Sequence, residues 1–185
     1  QPGFTFPGSF AQYVAIPRAD RNLSRLPDCV SFNSAAALGC RTTTAYRAVV
    51  QQGRLEPGQV VAVFGCGGVG LSCIMIAKAA GARVVGVDTS TKALERALEL
   101  GADHCILSSE DGEDDQQVRD RVRGNTGGTG ADLTIDAAGF RPTCENSIYC
   151  CRRGGRVVQV GLPLGMKMPP IIPMARIAAW ELEIV

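Results

Sequence analysis

The sequence lacks several features that would indicate a function directly. Its 185 residues include one histidine, His104, and only 5% aromatic residues. The net charge is +1 and no basic cluster is present, which argues against a nucleic-acid-binding surface. The first ten residues contain neither the basic segment nor the apolar core of a signal peptide, so we expect a cytoplasmic protein.

The eight cysteines form no familiar metal or disulfide pattern. No C-x-x-C pair occurs, and Cys150 and Cys151 are adjacent, which suits neither a zinc ribbon nor a disulfide framework. Most of the others stand in apolar surroundings, where cysteine behaves as a small hydrophobic residue. We therefore expect reduced and mostly buried thiols. Cys40 differs, because it lies between a glycine and a run of hydroxyl residues in GCRTTTAYRAV, residues 39–49.

One long uncharged run, residues 60–77, has the hydropathy of a membrane span. Four glycines fall inside it, and they fit a strand, a tight turn and a helix better than one continuous helix. We therefore predict no membrane association. The densest charge run, residues 110–115, is predicted to be a solvated loop.

From residue 58 onward, β-rich runs alternate with helical patterns. The runs are nearly continuous in Val, Ile and Ala, which is typical of strands buried on both faces of a parallel sheet. They are QVVAVFG, RVVGVD, HCILS, LTIDAAG, RVVQVG and ELEIV, and the helical patterns cover residues 69–80, 90–100, 116–123, 141–152 and 173–178. This alternation predicts an α/β fold with a doubly wound, six-stranded parallel sheet and helices on both faces.

The first part of the chain does not follow this alternation. Residues 8–17 alternate partly between apolar and polar side chains and predict one or two strands. Residues 31–53 predict two helical pieces that are broken near Gly39. We expect residues 1–32 to be the end of another domain, and residues 33–185 to form the α/β domain with its entry helices.

A glycine-rich loop follows the first predicted strand of this domain. Residues 65–70 read GCGGVG, the G-x-G-x-x-G pattern, and they open a predicted helix. In a Rossmann dinucleotide-binding domain the first glycine permits the turn, the second lets the pyrophosphate approach the backbone, and the third allows close helix packing. The helix N-terminus then faces the phosphates. We assign Gly65, Gly67, Gly68 and Gly70 to cofactor binding.

Asp88 ends the next predicted strand, where a carboxylate can accept hydrogen bonds from the adenosine ribose. Its charge would repel a 2′-phosphate, and no arginine follows it directly, so we predict NAD rather than NADP. Lys92 is the nearby cation that could soften this preference. The alternative is a helix-capping aspartate in a domain that binds no nucleotide.

The order of these motifs resembles the zinc-dependent alcohol dehydrogenases of the medium-chain dehydrogenase/reductase superfamily. The resemblance implies that Cys40 is the third protein ligand of a catalytic zinc. The other two ligands, a cysteine and a histidine, would lie in an N-terminal GroES-like catalytic domain, of which residues 1–32 would be a remnant. We expect a fragment that is inactive and free of zinc by itself. His104 is predicted to be a strand-edge residue.

The same resemblance implies roles in the nicotinamide site. Thr44 would lie under the nicotinamide as a catalytic residue with Cys40, and Val69 would pack on the ring. The remaining wall of this pocket would be formed by Ala137, Ala138, Val160, Gly161 and Leu162. In the intact enzyme, zinc would lower the pKa of the alcohol while hydride passes to NAD, giving an aldehyde or ketone.

Several alternatives remain at this point. Cys40 and Asp88 count against polyol dehydrogenases and quinone reductases, but formaldehyde and threonine dehydrogenases stay possible. A non-catalytic dinucleotide-binding module is a different class that also fits the residues present. The resemblance further implies a homodimer or tetramer formed through residues 166–185.

Overall fold

The structure is a computed structural model that describes residues 3, 5–109, 115–163 and 169–185. The chain divides into two compact units, Gln1–Ala36 and Ala37–Val185. The first unit contains the short helix α1 (Ala19–Asn22) and most of α2 (Phe32–Ala37). The prediction of one or two strands at residues 8–17 is wrong, because this fully described segment contains no strand. Its Phe10 and Tyr13 side chains are exposed, and the described residues of this unit form no sheet on which the alternating pattern could pack.

The second unit begins with an irregular helical segment. A π-helical turn at Leu38–Thr42 leads into α3 (Thr43–Tyr46), and a second π-helical turn follows at Arg47–Gln52. The predicted break near Gly39 is confirmed, because Gly39 has the non-helical angles φ −55° and ψ −120°. The hydroxyl of Thr43 stabilises the break by donating to the carbonyl of Gly39 over 2.7 Å.

The predicted six-stranded parallel sheet is confirmed. Its strand order is β3-β2-β1-β4-β5-β6, the doubly wound order of a Rossmann fold, in which strands are added to one side of β1 up to β3 and to its other side from β4 onward. The strands are β1 (Val60–Phe64), β2 (Arg83–Asp88), β3 (His104–Leu107), β4 (Ala131–Asp136), β5 (Cys151–Gln159) and β6 (Glu183–Ile184).

Helices cover both faces of the sheet, as the sequence predicted. They are α4 (Gly68–Ala79), α5 (Thr91–Glu99), α6 (Asp115–Asn125), α7 (Arg141–Cys150) and α8 (Met174–Trp180). Alternate residues of β1 point to opposite faces of the sheet. On one face, Val61 and Val63 pack in the cluster that contains residues of α4 and α5. Phe64 packs on the other face with Val118 and Val122 of α6. This two-sided burial explains the continuous apolar runs in the sequence.

Some element boundaries differ from the sequence predictions. The helix predicted at residues 141–152 ends at Cys150, because Cys151 takes an extended conformation with ψ 138° and starts β5. Of the charge run at residues 110–115, only Asp115 is described, and it begins α6; the predicted loop at 110–114 lies outside the described residues. Ser90 caps α5 as expected, since its hydroxyl accepts from the backbone N–H of Ala93 over 3.3 Å.

The uncharged run at residues 60–77 is divided between β1, the glycine loop and α4. Across the described ranges, no helix has both the length and the apolar character needed to cross a membrane.

Candidate functional site

The glycine loop between β1 and α4 depends on two glycines for its shape. Gly65 has φ +89°, and a Cβ placed there would lie 2.7 Å from the Cβ of Ala138 in the turn after β4. A Cβ on Gly70 would lie 1.7 Å from the carbonyl oxygen of Gly65. Any side chain at either position would therefore push α4 or the β4 turn away from the sheet.

Gly67 has a different role from these two glycines. It caps α4 with extended backbone angles, φ −77° and ψ −165°, which any residue can adopt. A Cβ placed on it would have no neighbour within 4 Å. The fold therefore leaves free space directly above Gly67, at the helix N-terminus, where the backbone N–H groups and the helix dipole favour an anion.

Asp88 is held firmly at the end of β2. One carboxylate oxygen accepts a 2.6 Å hydrogen bond from the backbone N–H of Cys66, inside the glycine loop. The other accepts from the backbone N–H of Ser90 over 2.8 Å. These two bonds fix the carboxylate beside the loop, in the place where a dinucleotide-binding domain contacts the adenosine ribose.

A cavity of about 370 Å³ opens beside Asp88 at the carboxyl ends of the strands. This is the size of a small-molecule pocket, and it lies at the end of the sheet where doubly wound folds bind their ligands. Its lining consists of Phe64, Gly65, Val87, Asp88, Thr89, Ser108, Ser109, Ala138, Phe140, Pro142, Thr143 and Asn146. An acidic group beside mainly apolar walls suits a nucleoside, with its flat base and its ribose hydroxyls.

Asp136, at the end of β4, organises the neighbouring wall. Its carboxylate is fully buried. One oxygen accepts from the backbone N–H groups of Ala138 and Gly139 over 2.9 and 3.0 Å. The other accepts from the side-chain amide of Gln159 over 2.6 Å. Four donors, counting the thiol of Cys144 at 3.1 Å, therefore converge on this one carboxylate.

The residues predicted for the nicotinamide wall meet around this network. Ala137 continues β4 by donating its N–H to the carbonyl of Phe64 over 2.8 Å. Val160 and Gly161 both donate their N–H groups to the carbonyl of Asp136 over 2.9 Å. Leu162 is 74% exposed at the rim of this wall. The structure thus brings the two predicted segments together, although it was Asp136 that the sequence analysis overlooked.

The other predicted site residues lie around the loop. Val69 is half-buried and packs against the core, and Thr44 is half-buried on α3, which packs against α4. Lys92 is exposed in the first turn of α5 and does not line the cavity. His104 is exposed at the start of β3, which confirms the predicted strand-edge position.

The thiols are free and most are buried, which confirms the expectation from the sequence. Burial raises the pKa of Cys73 to about 12 and also raises the pKa of Cys66 in the glycine loop. Cys29 and Cys40 are exposed instead. The residues that the structure describes include no group of three or more His, Cys, Asp or Glu side chains that could hold a metal ion. Cys40 is thus a single exposed thiol here, and a catalytic zinc needs three protein ligands.

Three functional candidates were missed by the sequence analysis: Asp136, Gln159 and Arg41, whose side chain lies against Gly68. A carboxylate at the end of a buried strand, as in LTIDAAG, was a usable signal for Asp136. The contact of Arg41 had no signal, because it depends on the path of the π-helical turn.

The amino-acid sequence is similar to those of zinc-binding dehydrogenases and alcohol dehydrogenases. The sequence profile described as "Zinc-binding dehydrogenase" matches residues 68–185. An alcohol dehydrogenase from Geobacillus stearothermophilus is 35% identical over 87% of this chain and 45% of its own length. Alcohol dehydrogenase 6 from Peromyscus maniculatus is 33% identical over 79% of this chain and 38% of its own.

Among solved structures, the alcohol dehydrogenase TADH from Thermus sp. ATN1 superposes with a TM-score of 0.85 at 33% identity. The match covers 97% of this chain and 50% of the Thermus chain. The chain therefore spans half or less of the length of these relatives.

Proposed function

Because the chain belongs to the zinc-binding dehydrogenase family of the medium-chain dehydrogenase/reductase superfamily, we propose that it is the NAD-binding part of an alcohol dehydrogenase. In the proposed reaction, hydride passes between an alcohol and the nicotinamide ring, giving an aldehyde or ketone. The observation that carries the proposal is the pairing of Asp88 with the glycine loop, beside a cavity of about 370 Å³.

The choice of NAD rests on the charge around Asp88. The ribose hydroxyls of NAD can donate to its carboxylate, whereas the 2′-phosphate of NADP would place two negative groups together. Thr89, Ser90 and Thr91 follow Asp88, so no arginine stands there to accommodate that phosphate. Lys92 is exposed on α5 and outside the cavity lining.

The protein contributes binding and orientation to this chemistry. The free space above Gly67 admits the pyrophosphate to the N-terminus of α4, and the backbone around Asp136 forms a rigid wall for the nicotinamide end. We place Thr44 and Val69 against the nicotinamide ring, with Ala137, Ala138, Val160, Gly161 and Leu162 around it. Fixing the ring in this way limits its approach to one geometry, which favours hydride transfer.

The residues described for this chain do not fit a complete catalytic zinc site, since three clustered ligands are lacking among them. We propose Cys40 as one ligand of such a site and derive no step of the reaction through the metal.

Asp88 gives the direct test of the proposed function. We expect isothermal titration to show NADH binding at least about tenfold more tightly than NADPH, and Asp88→Asn to remove most of that difference by weakening NADH. Asn keeps one oxygen for the backbone N–H of Cys66 in the loop but turns its amide group toward the N–H of Ser90, so urea unfolding should accompany the titration to check that the variant is folded. Glu95→Gln is the matched control, because it removes an exposed carboxylate from α5. Equal affinity of the unchanged protein for NADPH would contradict the assignment to NAD.

The position of Cys40 can be tested by alkylation. Iodoacetamide at neutral pH should modify Cys29 and Cys40 first, because burial raises the pKa of thiols such as Cys73 and Cys151 to about 12. Saturating NADH should slow the alkylation of Cys40 severalfold and leave Cys29 unchanged as the internal control. Peptide mass spectrometry measures both rates. Equal rates for Cys40 with and without NADH would place this thiol away from the nicotinamide.

A further inference from the structure

We propose that Arg41 binds the pyrophosphate of the dinucleotide across the N-terminus of α4. The inference rests on the proposed function, because it names a further binding residue of the same site. Arg41 belongs to the π-helical turn Leu38–Thr42, which packs against α4. This turn lies outside the glycine loop, so the sequence motif by itself does not include the residue.

The contact between Arg41 and the loop is close. A Cβ placed on Gly68, the first residue of α4, would lie 2.6 Å from Cδ, 2.9 Å from Nε and 3.2 Å from Cζ of Arg41. The G-x-G-x-x-G pattern leaves this position open to any residue. Glycine at position 68 therefore provides the room in which the arginine side chain lies over the helix end.

No described carboxylate pairs with the charge of Arg41. Its side chain is exposed, and in the described part of the chain it takes part in no ion pair or hydrogen bond. Other arginines differ: Arg152 pairs with Asp132 at 2.7 Å, and Arg141 with Glu145 at 2.9 Å. The guanidinium instead lies beside the helix end whose partial charge has the same sign as its own.

A diphosphate would convert this unfavourable arrangement into a favourable one. The space above Gly67 is open, and Gly67 is adjacent to the glycine that Arg41 covers. An anion in that space would accept hydrogen bonds from the first backbone N–H groups of α4 and from the planar guanidinium. Arginine matches phosphate oxygens with two parallel donors, which lysine cannot do.

The test compares three ligands by isothermal titration: NADH, ADP-ribose and adenosine. For Arg41→Gln we expect the Kd of NADH and of ADP-ribose to rise about tenfold, the size of one lost charge-assisted hydrogen bond, with no change for adenosine, which has no phosphate. Arg41→Lys should recover part of the loss. Arg47→Gln is the matched control, since it removes an exposed arginine whose guanidinium contacts Gln51. Urea unfolding of each variant checks that the fold is kept.

The possible outcomes separate the two proposals. If the unchanged protein bound neither NADH nor ADP-ribose, the proposed function would fall and this inference with it. If it bound both, but Arg41→Gln bound them equally well, the inference alone would be overturned. A loss of adenosine affinity equal to that of NADH would also overturn it, because it would show that Arg41 supports the loop and not the pyrophosphate.

Discussion

Replacing Gly67 with valine should abolish NADH binding while the fold remains nearly as stable as before. The free protein has room for the new side chain, because a Cβ at this position meets no atom within 4 Å. The backbone there is extended, so valine causes no strain, and the weaker N-cap should cost less than about 1 kcal/mol. The side chain would, however, fill the space that the pyrophosphate needs. We expect at least about a hundredfold increase in the Kd of NADH, measured by titration calorimetry.

Gly70→Val is the matched control for this prediction. Its Cβ would lie 1.7 Å from the carbonyl oxygen of Gly65, so backbone atoms must move. We expect it to lower the free energy of unfolding by about 3 kcal/mol or more, measured in urea. The two variants should thus fail differently, one in binding and the other in folding. Normal NADH affinity in Gly67→Val would show that the dinucleotide does not cross the loop at this glycine.

Asp136→Leu should be among the most destabilising single substitutions in the chain. It would leave the backbone N–H groups of Ala138 and Gly139 without their buried acceptor, and the amide of Gln159 would keep only its bond to the carbonyl of Gly161. Each unpaired buried donor costs about 1–3 kcal/mol, so we expect a loss of roughly 4 kcal/mol in the free energy of unfolding. Urea unfolding followed by circular dichroism measures it.

A pair of substitutions that keep side-chain size nearly constant tests the contribution of these hydrogen bonds to stability. Asp136→Asn keeps one oxygen for the two backbone donors, but its amide would face the amide of Gln159, donor against donor. Adding Gln159→Glu supplies an acceptor for that amide, but it removes the donor of the 2.8 Å hydrogen bond to the carbonyl of Gly161, so the double variant should recover only part of the stability lost by Asp136→Asn. If the two substitutions were simply additive, the contact between these side chains would not be a stabilising one.

The central part of the fold was predictable from the sequence because strand composition and glycine placement are local signals. The run at Val60–Phe64 is apolar on both faces, so both faces must be buried, as they are in a parallel sheet covered by helices. Gly65 and Gly70 lie where a side chain would collide with Ala138 or with the loop itself. The two glycines in the sequence therefore indicated a tight turn at these positions. Asp88 was likewise visible as a carboxylate at the end of a strand.

The rest depended on contacts that sequence spacing does not reveal. The alternation in residues 8–17 was a valid strand signal, but an isolated stretch cannot pair its backbone and stays irregular. Cys151 looked helical in the sequence, yet it pairs with Ala131 and extends β5. The approach of Arg41 to Gly68 depends on the path of the π-helical turn after Gly39, which the spacing of residues does not reveal.

The position of β1 at the centre of the sheet also determines when the binding site can form. Val61 pairs with Val84 on one side and with Leu133 on the other, so one neighbour is close in the chain and the second is far away. Distant pairing requires closure of a long loop and is slow compared with local helix formation. Because Gly65 is packed against Ala138 beyond β4, the final shape of the glycine loop depends on this long-range pairing. We therefore expect the nucleotide site to form together with the long-range pairing of β1 and β4, and not from the local segment alone.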